Sequence, residues 1–154
     1  MVFLLKHFDK LKGIELYQIL KLRCAVFIVE QNCIYQDIDD KDQSCYHVMC
    51  YDDETLIATT RIVPPKISYD NYSSIGRVAV HPAYRGKGCG RELMEVSLKL
   101  CEELFPGYNI KISAQAYLIP FYESLQFDKW GEGYMEDGVP HQAMIKYSLQ
   151  YGQN

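Results

Sequence analysis

No stretch of the chain approaches the ~20 consecutive apolar residues that a membrane-crossing helix requires, and no membrane span is expected. The opening residues, Met-Val-Phe-Leu-Leu-Lys-His-Phe-Asp-Lys, lack a charged leader, a long apolar run and a small-residue cleavage site, so no signal peptide is expected either. Six cysteines occur, but no Cys-x-x-Cys. Cys24, Cys33, Cys45, Cys50, Cys89 and Cys101 sit mostly in apolar segments, which favours buried free thiols in a reducing cytoplasm over a disulfide framework. Positive charge is not in excess: the net charge is −4, which argues against bulk nucleic-acid binding. No repeat, low-complexity tract or linker divides the 154 residues, a length suited to one domain over residues 1–154.

What is present alternates between strand and helix patterns. Val2 to Leu5 reads as a short strand. Gly13 to about Gln31 reads as a helix, with Leu16, Ile19, Leu20, Arg23 and Phe27 on one face. Arg23 interrupts that apolar face. An ion pair with Glu30 or another carboxylate accounts for it, and a cation aimed into a site is the alternative. Asp37-Ile-Asp39-Asp40-Lys-Asp42 fails the calcium-loop template at its fifth, sixth and twelfth positions (Lys41, Asp42, Val48), and no metal site is expected. A solvated acidic loop is the expectation there.

Cys45–Tyr51 and Leu56–Val63 read as a hairpin, and Ile75–His81 as a central strand. A helix follows from Gly88 to Phe105, ended by Pro106-Gly107. Asn109–Ala116 is a strand, and Pro120 opens a short helix to about Leu125. Phe127–Tyr134 and His141–Ser148 form a last hairpin. The class is α/β (α+β): a mixed sheet with helices on its faces.

The densest signal is Arg77-Val-Ala-Val-His-Pro-Ala-Tyr-Arg85-Gly86-Lys87-Gly88-Cys89-Gly90-Arg91, a strand feeding a cationic loop of three glycines that opens a helix. The first N–H groups of a helix lack internal acceptors and sit at the positive end of its dipole, so such a loop suits phosphate. Glycine removes the Cβ that would hold the phosphate off. The spacing matches neither Gly-x-x-x-x-Gly-Lys-[Ser/Thr] nor Gly-x-Gly-x-x-Gly. It fits Gln/Arg-x-x-Gly-x-Gly/Ala at every position, from Arg85 to Gly90.

On these residues the chain resembles the GNAT superfamily of acetyl-CoA-dependent N-acetyltransferases over nearly its whole length. Phe121-Tyr122-Glu-Ser-Leu-Gln126-Phe127 resembles that family's Phe-Tyr-x-x-x-Gly-Phe, with Gln126 in the place of Gly. Within the superfamily the chain is similar to the ElaA group through Leu22–Cys33, Tyr35–Asp39, Gly76-Arg77-Val78, Ala114-Gln-Ala116 and Glu136–His141. The resemblance implies a mostly antiparallel sheet whose two central strands splay in a V. It implies acetyl-CoA as co-substrate, its pyrophosphate held by the backbone of Gly86, Lys87, Gly88, Cys89, Gly90 and Arg91. Arg85 and Lys87 would add charge, and pantetheine would lie along Val78, Ala79 and Val80. Cys89, inside the loop, is expected to be open to thiol reagents.

The implied reaction is direct attack of an amine on the thioester, with Val78 or Ala79 N–H facing the oxyanion and Tyr122 as general acid to the departing sulfur. Many relatives place a basic Glu just before the apolar triplet, where this chain has Gly76-Arg77. Glu30 and His141 are the acceptor-side candidates for a base, with His47 and His81 less favoured and a water chain as the alternative. Acidic residues near that side (Glu30, Asp37, Asp39, Asp40) would suit a cationic small-molecule or peptide amine. The fold often dimerises through sheet or helix edges, so a homodimer is open to it. A non-catalytic acyl-CoA sensor, or an enzyme using another acyl group, are the competing functions.

Overall fold

The computed structural model describes residues 1–149. Alternation along its strands settles which face each residue serves. On β2 (Tyr46–Asp52), Val48 and Cys50 join Ile57, Ile62, Leu93 and Met94 in one core, while Met49 between them meets Ile19, Leu22 and Val26 on the opposite face. β3 (Thr55–Val63) is buried over eight of its nine residues, as a strand covered on both sides must be.

The sheet also contains β1 (Val2–His7), β4 (Tyr72–Val80), β5 (Asn109–Gln115), β6 (Asp128–Lys129), β7 (Tyr134–Glu136) and β8 (Val139–Lys146). Its order is β1-β2-β3-β4-β5-β8-β6, with β7 pairing to β8. Every pair is antiparallel except β4 with β5. Helix α1 (Gly13–Arg23) covers one face. Helix α2 (Cys89–Leu104) and the short α3 (Ile119–Ser124) belong to the other face. On α2, Cys89, Leu93, Met94, Ser97 and Cys101 are buried at three- and four-residue spacing, the inner stripe of an amphipathic helix. Burying an aliphatic side chain such as Leu93 contributes roughly 1.5–3 kcal/mol, so this stripe anchors the helix start against the sheet. The mixed, mostly antiparallel architecture agrees with the sequence reading.

Two elements differ from expectation. The first long helix stops being α-helical at Arg23, and Cys24–Glu30 continues in wider π turns. The run Val26-Phe27-Ile28-Val29 is aromatic and β-branched, residues with low α propensity. The last hairpin is also broken up. Gly131 lies at φ +71, outside the extended region, so the strand expected over 127–134 divides into β6 and β7. The connection from β7 to β8 is then tight. Asp137 and Gly138, at φ +50 and +77, form the two-residue turn that a hairpin with this twist prefers.

Candidate functional site

β4 and β5 are hydrogen-bonded neighbours only at Tyr72↔Asn109 and Ser73↔Ile110. Past that point β5 continues its pairing to β8 as far as Gln115, while β4 continues its pairing to β3 as far as Val80. The facing edges of β4 and β5 therefore open into a wedge. Ala79 is buried toward α1, and Val78 and Val80 pack toward the α2 core, so their side chains are committed while the open strand edge is backbone. A bulge sits in this stretch: between the pairs Arg61↔Gly76 and Thr59↔Ala79, Thr60 alone faces Arg77 and Val78. Arg77 takes φ +47, a conformation uncommon for a residue with a Cβ.

The glycine loop closes one end of the wedge. Gly86 and Gly88 lie at φ +76 and +83, and a Cβ on either would meet no atom within 4 Å, so the space above the loop is open. Gly88 caps α2 without any side-chain hydrogen bond, and the first backbone bond of the helix is donated by Glu92 N–H to the Gly88 carbonyl at 3.0 Å. Among the described residues no hydrogen bond of ordinary geometry is donated by the N–H groups from Gly86 to Arg91. Such a row of fixed, uncommitted donors in open space is fitted to an anion. Cys89 corrects one expectation. Its side chain is buried, and burial pushes its thiol above the ordinary range, so only its backbone belongs to the loop and it is no target for thiol reagents. Arg85 donates to the Val80 carbonyl at 3.1 Å and to Glu30 Oε1 at 2.6 Å, while Arg91 donates to Ser124 Oγ and lies 5.7 Å from the Phe121 ring centre. The loop is thereby tied to the π segment on one side and to α3 on the other.

On α3 the Tyr122 ring is buried against Phe121 and Phe127. Among the described residues its hydroxyl makes no hydrogen bond, yet it is not a sealed polar atom. Burial first, and Tyr117 second, push it up to about 12. Gln126 stands at φ +71, where the related motif has Gly, and Lys146 donates to the Leu125 carbonyl and to Gln126 Oε1 at that helix end.

The acetyltransferase (GNAT) domain family matches residues 15–148. ElaA of Escherichia coli strain K12 is 40% identical over 94% of this chain and 95% of its own. An acyl-CoA N-acyltransferase from Pseudomonas aeruginosa superposes with a TM-score of 0.90 at 37% identity, covering 94% of this chain and 98% of that one. The crystal structure of E. coli ElaA superposes at 0.89 with 38% identity, over 95% and 99% of the two chains.

The chain belongs to the GNAT family. As a GNAT protein it departs from the sequence reading mainly on the acidic side. The segment expected to be a solvated loop is an ion-pair network. Arg23, 1% exposed, binds Asp37 Oδ2 through Nε at 2.9 Å and Asp42 Oδ1 through Nη1 at 2.8 Å, and Glu30 is not its partner. Arg61 holds Asp39 at 2.8 and 3.0 Å and Asp42 at 3.1 Å. Arg77 lies 2.8 Å from Asp37 Oδ1, donates to the Asp37 carbonyl at 2.9 Å, and rests 5.8 Å from the Tyr35 ring centre. The guanidinium at the position where many GNAT relatives carry a carboxylate thus clamps the bulged backbone of β4. Sequence reasoning missed this network because the three arginines are separated by 38 and 16 residues. Their one local signal was the charge inside an apolar helical face.

Burial raises the Asp39 carboxyl, but the Arg61 hydrogen bonds and charge outweigh it and hold the group down at about 2, and Asp42 is lowered in the same sense. A depressed folded value gives stability that is complete above the ordinary value of 3.8 and is lost as pH falls through about 2. Urea midpoints should accordingly hold between pH 7 and 5 and fall between about 4 and 2. Asp39→Asn should flatten that fall. An equally steep fall in the variant would assign it to other carboxylates.

The candidate bases separate clearly. His47 is buried, lies 3.1 Å from the Asp42 carbonyl, and is depressed by burial. His81 is exposed and caps a turn by accepting from Ala83 N–H at 3.1 Å. Glu30 is engaged by Arg85. His141 lies beside β7, its Nδ1 2.7 Å from the Val139 carbonyl and its Nε2 3.3 Å from Glu136 Oε2. Glu136 lies inside the ElaA-like segment 136–141 and carried no separate signal in the sequence.

Proposed function

We propose that the protein is an acetyl-CoA-dependent N-acetyltransferase in which an acceptor amine attacks the thioester directly. The observation that carries this reading is the junction of an unpaired strand edge, Ser74 to Val80, with the uncommitted N–H row at the start of α2. The edge suits the amides of pantetheine by strand addition, and the row suits the pyrophosphate. The Pseudomonas aeruginosa relative bears the name acyl-CoA N-acyltransferase, which supports an acyl-CoA donor. The six unpaired cysteines fit a reducing compartment such as the cytoplasm.

In this reading the amine nitrogen forms a bond to the carbonyl carbon and the C–S bond breaks. Charge developing on the carbonyl oxygen faces N–H groups of the β4 bulge, Val78 or Ala79. The nitrogen gives up one proton along a water path to solvent, and the sulfur leaves as a thiolate and takes up one proton, so the transfer is balanced. Tyr122 is suited to meet it as a hydrogen-bond donor: burial keeps the phenol protonated though it makes it a weaker acid, and its hydroxyl has no competing partner among the described residues.

Calorimetry with acetyl-CoA tests the donor, and thiol release against a library of primary amines tests the transfer. Binding with no thiol release from any amine would point to a sensor on the same fold. Absence of binding would remove the donor assignment. Tyr122→Phe should lower kcat by about 10²-fold, the lower end for acid catalysis, and leave acetyl-CoA affinity within threefold. Unchanged turnover would make Tyr122 a packing residue.

A further inference from the structure

The network around Arg23, Arg61 and Arg77 leaves a question of charge. Of the acidic residues expected near a cationic acceptor, Asp37 and Asp39 are matched by arginines, as is Asp42, and Glu30 by Arg85, while Asp40 is exposed and makes no ion pair among the described residues. A further carboxylate without a lysine or arginine partner lies close to the wedge. On β5 the residues alternate: Ile110, Ile112 and Ala114 enter the α2 core, which turns Lys111, Ser113 and Gln115 to the opposite face. Ser113 lies beyond the last β4–β5 pair, on the part of β5 that lines the wedge.

The tight turn at Asp137-Gly138 folds β7 back along β8, which sets Tyr134 opposite His141 and Glu136 opposite Val139. Pairing of β8 with β5 sets His141 opposite Gln115. Four side chains meet as a result. Ser113 Oγ donates to Glu136 Oε2 at 3.0 Å and shares a hydrogen bond with the Tyr134 hydroxyl. His141 stacks on Tyr134 with centroids 6.2 Å apart at 20°, and its Nε2 lies 3.3 Å from the same Glu136 oxygen. Facing a carbonyl that only accepts, His141 Nδ1 must carry its proton.

Glu136 is thus oriented by the Ser113 hydroxyl through one oxygen, with the His141 ring packed beside it, while its side chain remains 50% exposed. Among the described residues no lysine or arginine pairs with it. Lys111, two residues from Ser113 on the same face, turns its ammonium onto rings instead, 4.0 Å from Trp130, 4.9 Å from Tyr69 and 5.4 Å from Tyr72. The thiol of Cys33, just after the π segment, reaches the Asp137 carbonyl at 3.8 Å, so the 30s loop meets the hairpin turn.

We propose that Glu136 is the binding site for the ammonium group of the acceptor, a primary amine, with Ser113 as the positioning residue that aims the carboxylate and the His141 ring as part of the wall beside it. The word acceptor rests on the N-acetyltransferase reading; the ammonium site itself does not. An oriented, half-exposed carboxylate with one free oxygen and a stacked aromatic pair beside it supplies charge-assisted hydrogen bonds to an –NH3⁺ group and an apolar wall for the carbon next to it.

The test is amide-resolved NMR of the full chain with n-butylammonium chloride at pH 7, n-butanol as the uncharged match, and coenzyme A in a separate titration. Butylammonium should move the amides of Ser113, Tyr134, Glu136 and His141 saturably, and butanol should not. Glu136→Gln should weaken the butylammonium affinity at least tenfold, and Glu136→Asp should keep it within threefold. Coenzyme A should move Gly86 to Arg91 equally in wild type and Glu136→Gln, which also reports that the variant is folded. The ammonium site is overturned if butylammonium moves no amide, moves amides elsewhere, or binds Glu136→Gln as it binds wild type. Failure of coenzyme A alone would overturn the donor reading and leave the amine titration to decide the site.

Discussion

Gly88→Glu should abolish acetyl-CoA binding, with calorimetric affinity falling by more than 100-fold. Two effects act together. Gly88 sits at φ +83, where an L side chain is strained by roughly 1–2 kcal/mol. The new side chain would also rise into the open space over the N–H row and put a carboxylate where the dipole and the free donors favour a phosphate. Because no atom lies within 4 Å of the added Cβ, the protein without ligand should still fold, with a midpoint lowered only by the backbone strain. Gly88→Ala separates the two effects: it carries the same strain and no charge, and should bind more weakly than wild type but far better than the glutamate variant. If the glutamate variant binds acetyl-CoA like wild type, the pyrophosphate is not held at the start of α2.

Arg23→Ala should cost about 3–5 kcal/mol of stability, the range expected when one partner of a buried ion pair is removed. Arg23 is 1% exposed and bridges Asp37 and Asp42, whose side chains are 10% and 6% exposed. Its removal leaves a cavity and leaves Asp37 to Arg77 and Asp42 to Arg61 alone. The second consequence is functional. Asp37 also holds Arg77, the strained residue of the β4 bulge, so loss of Arg23 should loosen the backbone at Val78 and Ala79. Urea unfolding measures the first effect, and amide exchange at residues 77–79 measures the second. Arg23→Lys should recover part of the stability, because an ammonium cannot present the planar fork that reaches both carboxylates. A loss under about 1 kcal/mol for Arg23→Ala would show that water replaces the guanidinium at no great cost.

Local patterns were readable wherever one element carried its own signal. The loop Arg85–Gly90 announced itself because its constraints are local: positive φ at Gly86 and Gly88 and a helix start two residues on. The inner face of α2 was readable for the same reason, since burial repeats with the period of a single helix. Tyr122 stood out by its motif, but its pushed-up hydroxyl depends on Phe121, Phe127 and the closed core around them. Arg23 was visible as an anomaly and its partners were not, since nothing local distinguishes Asp37 and Asp42 from Glu30. Asp37 to Asp42 looked like solvated charge, because a carboxylate run has the same composition whether it meets water or three arginines.

The sequence by itself therefore determined the element order apart from the π segment and the divided last hairpin, the phosphate-type loop and the family, all properties of short-range spacing and backbone conformation. The wedge between β4 and β5 was implied by the family resemblance, while tertiary structure alone decided the bulge clamped through Arg77, the inward turn of Cys89 and the meeting of Ser113, Tyr134, Glu136 and His141. Those features depend on strand register and on which charges are desolvated together. Both are set by contacts between residues far apart in the chain, and no local pattern records them.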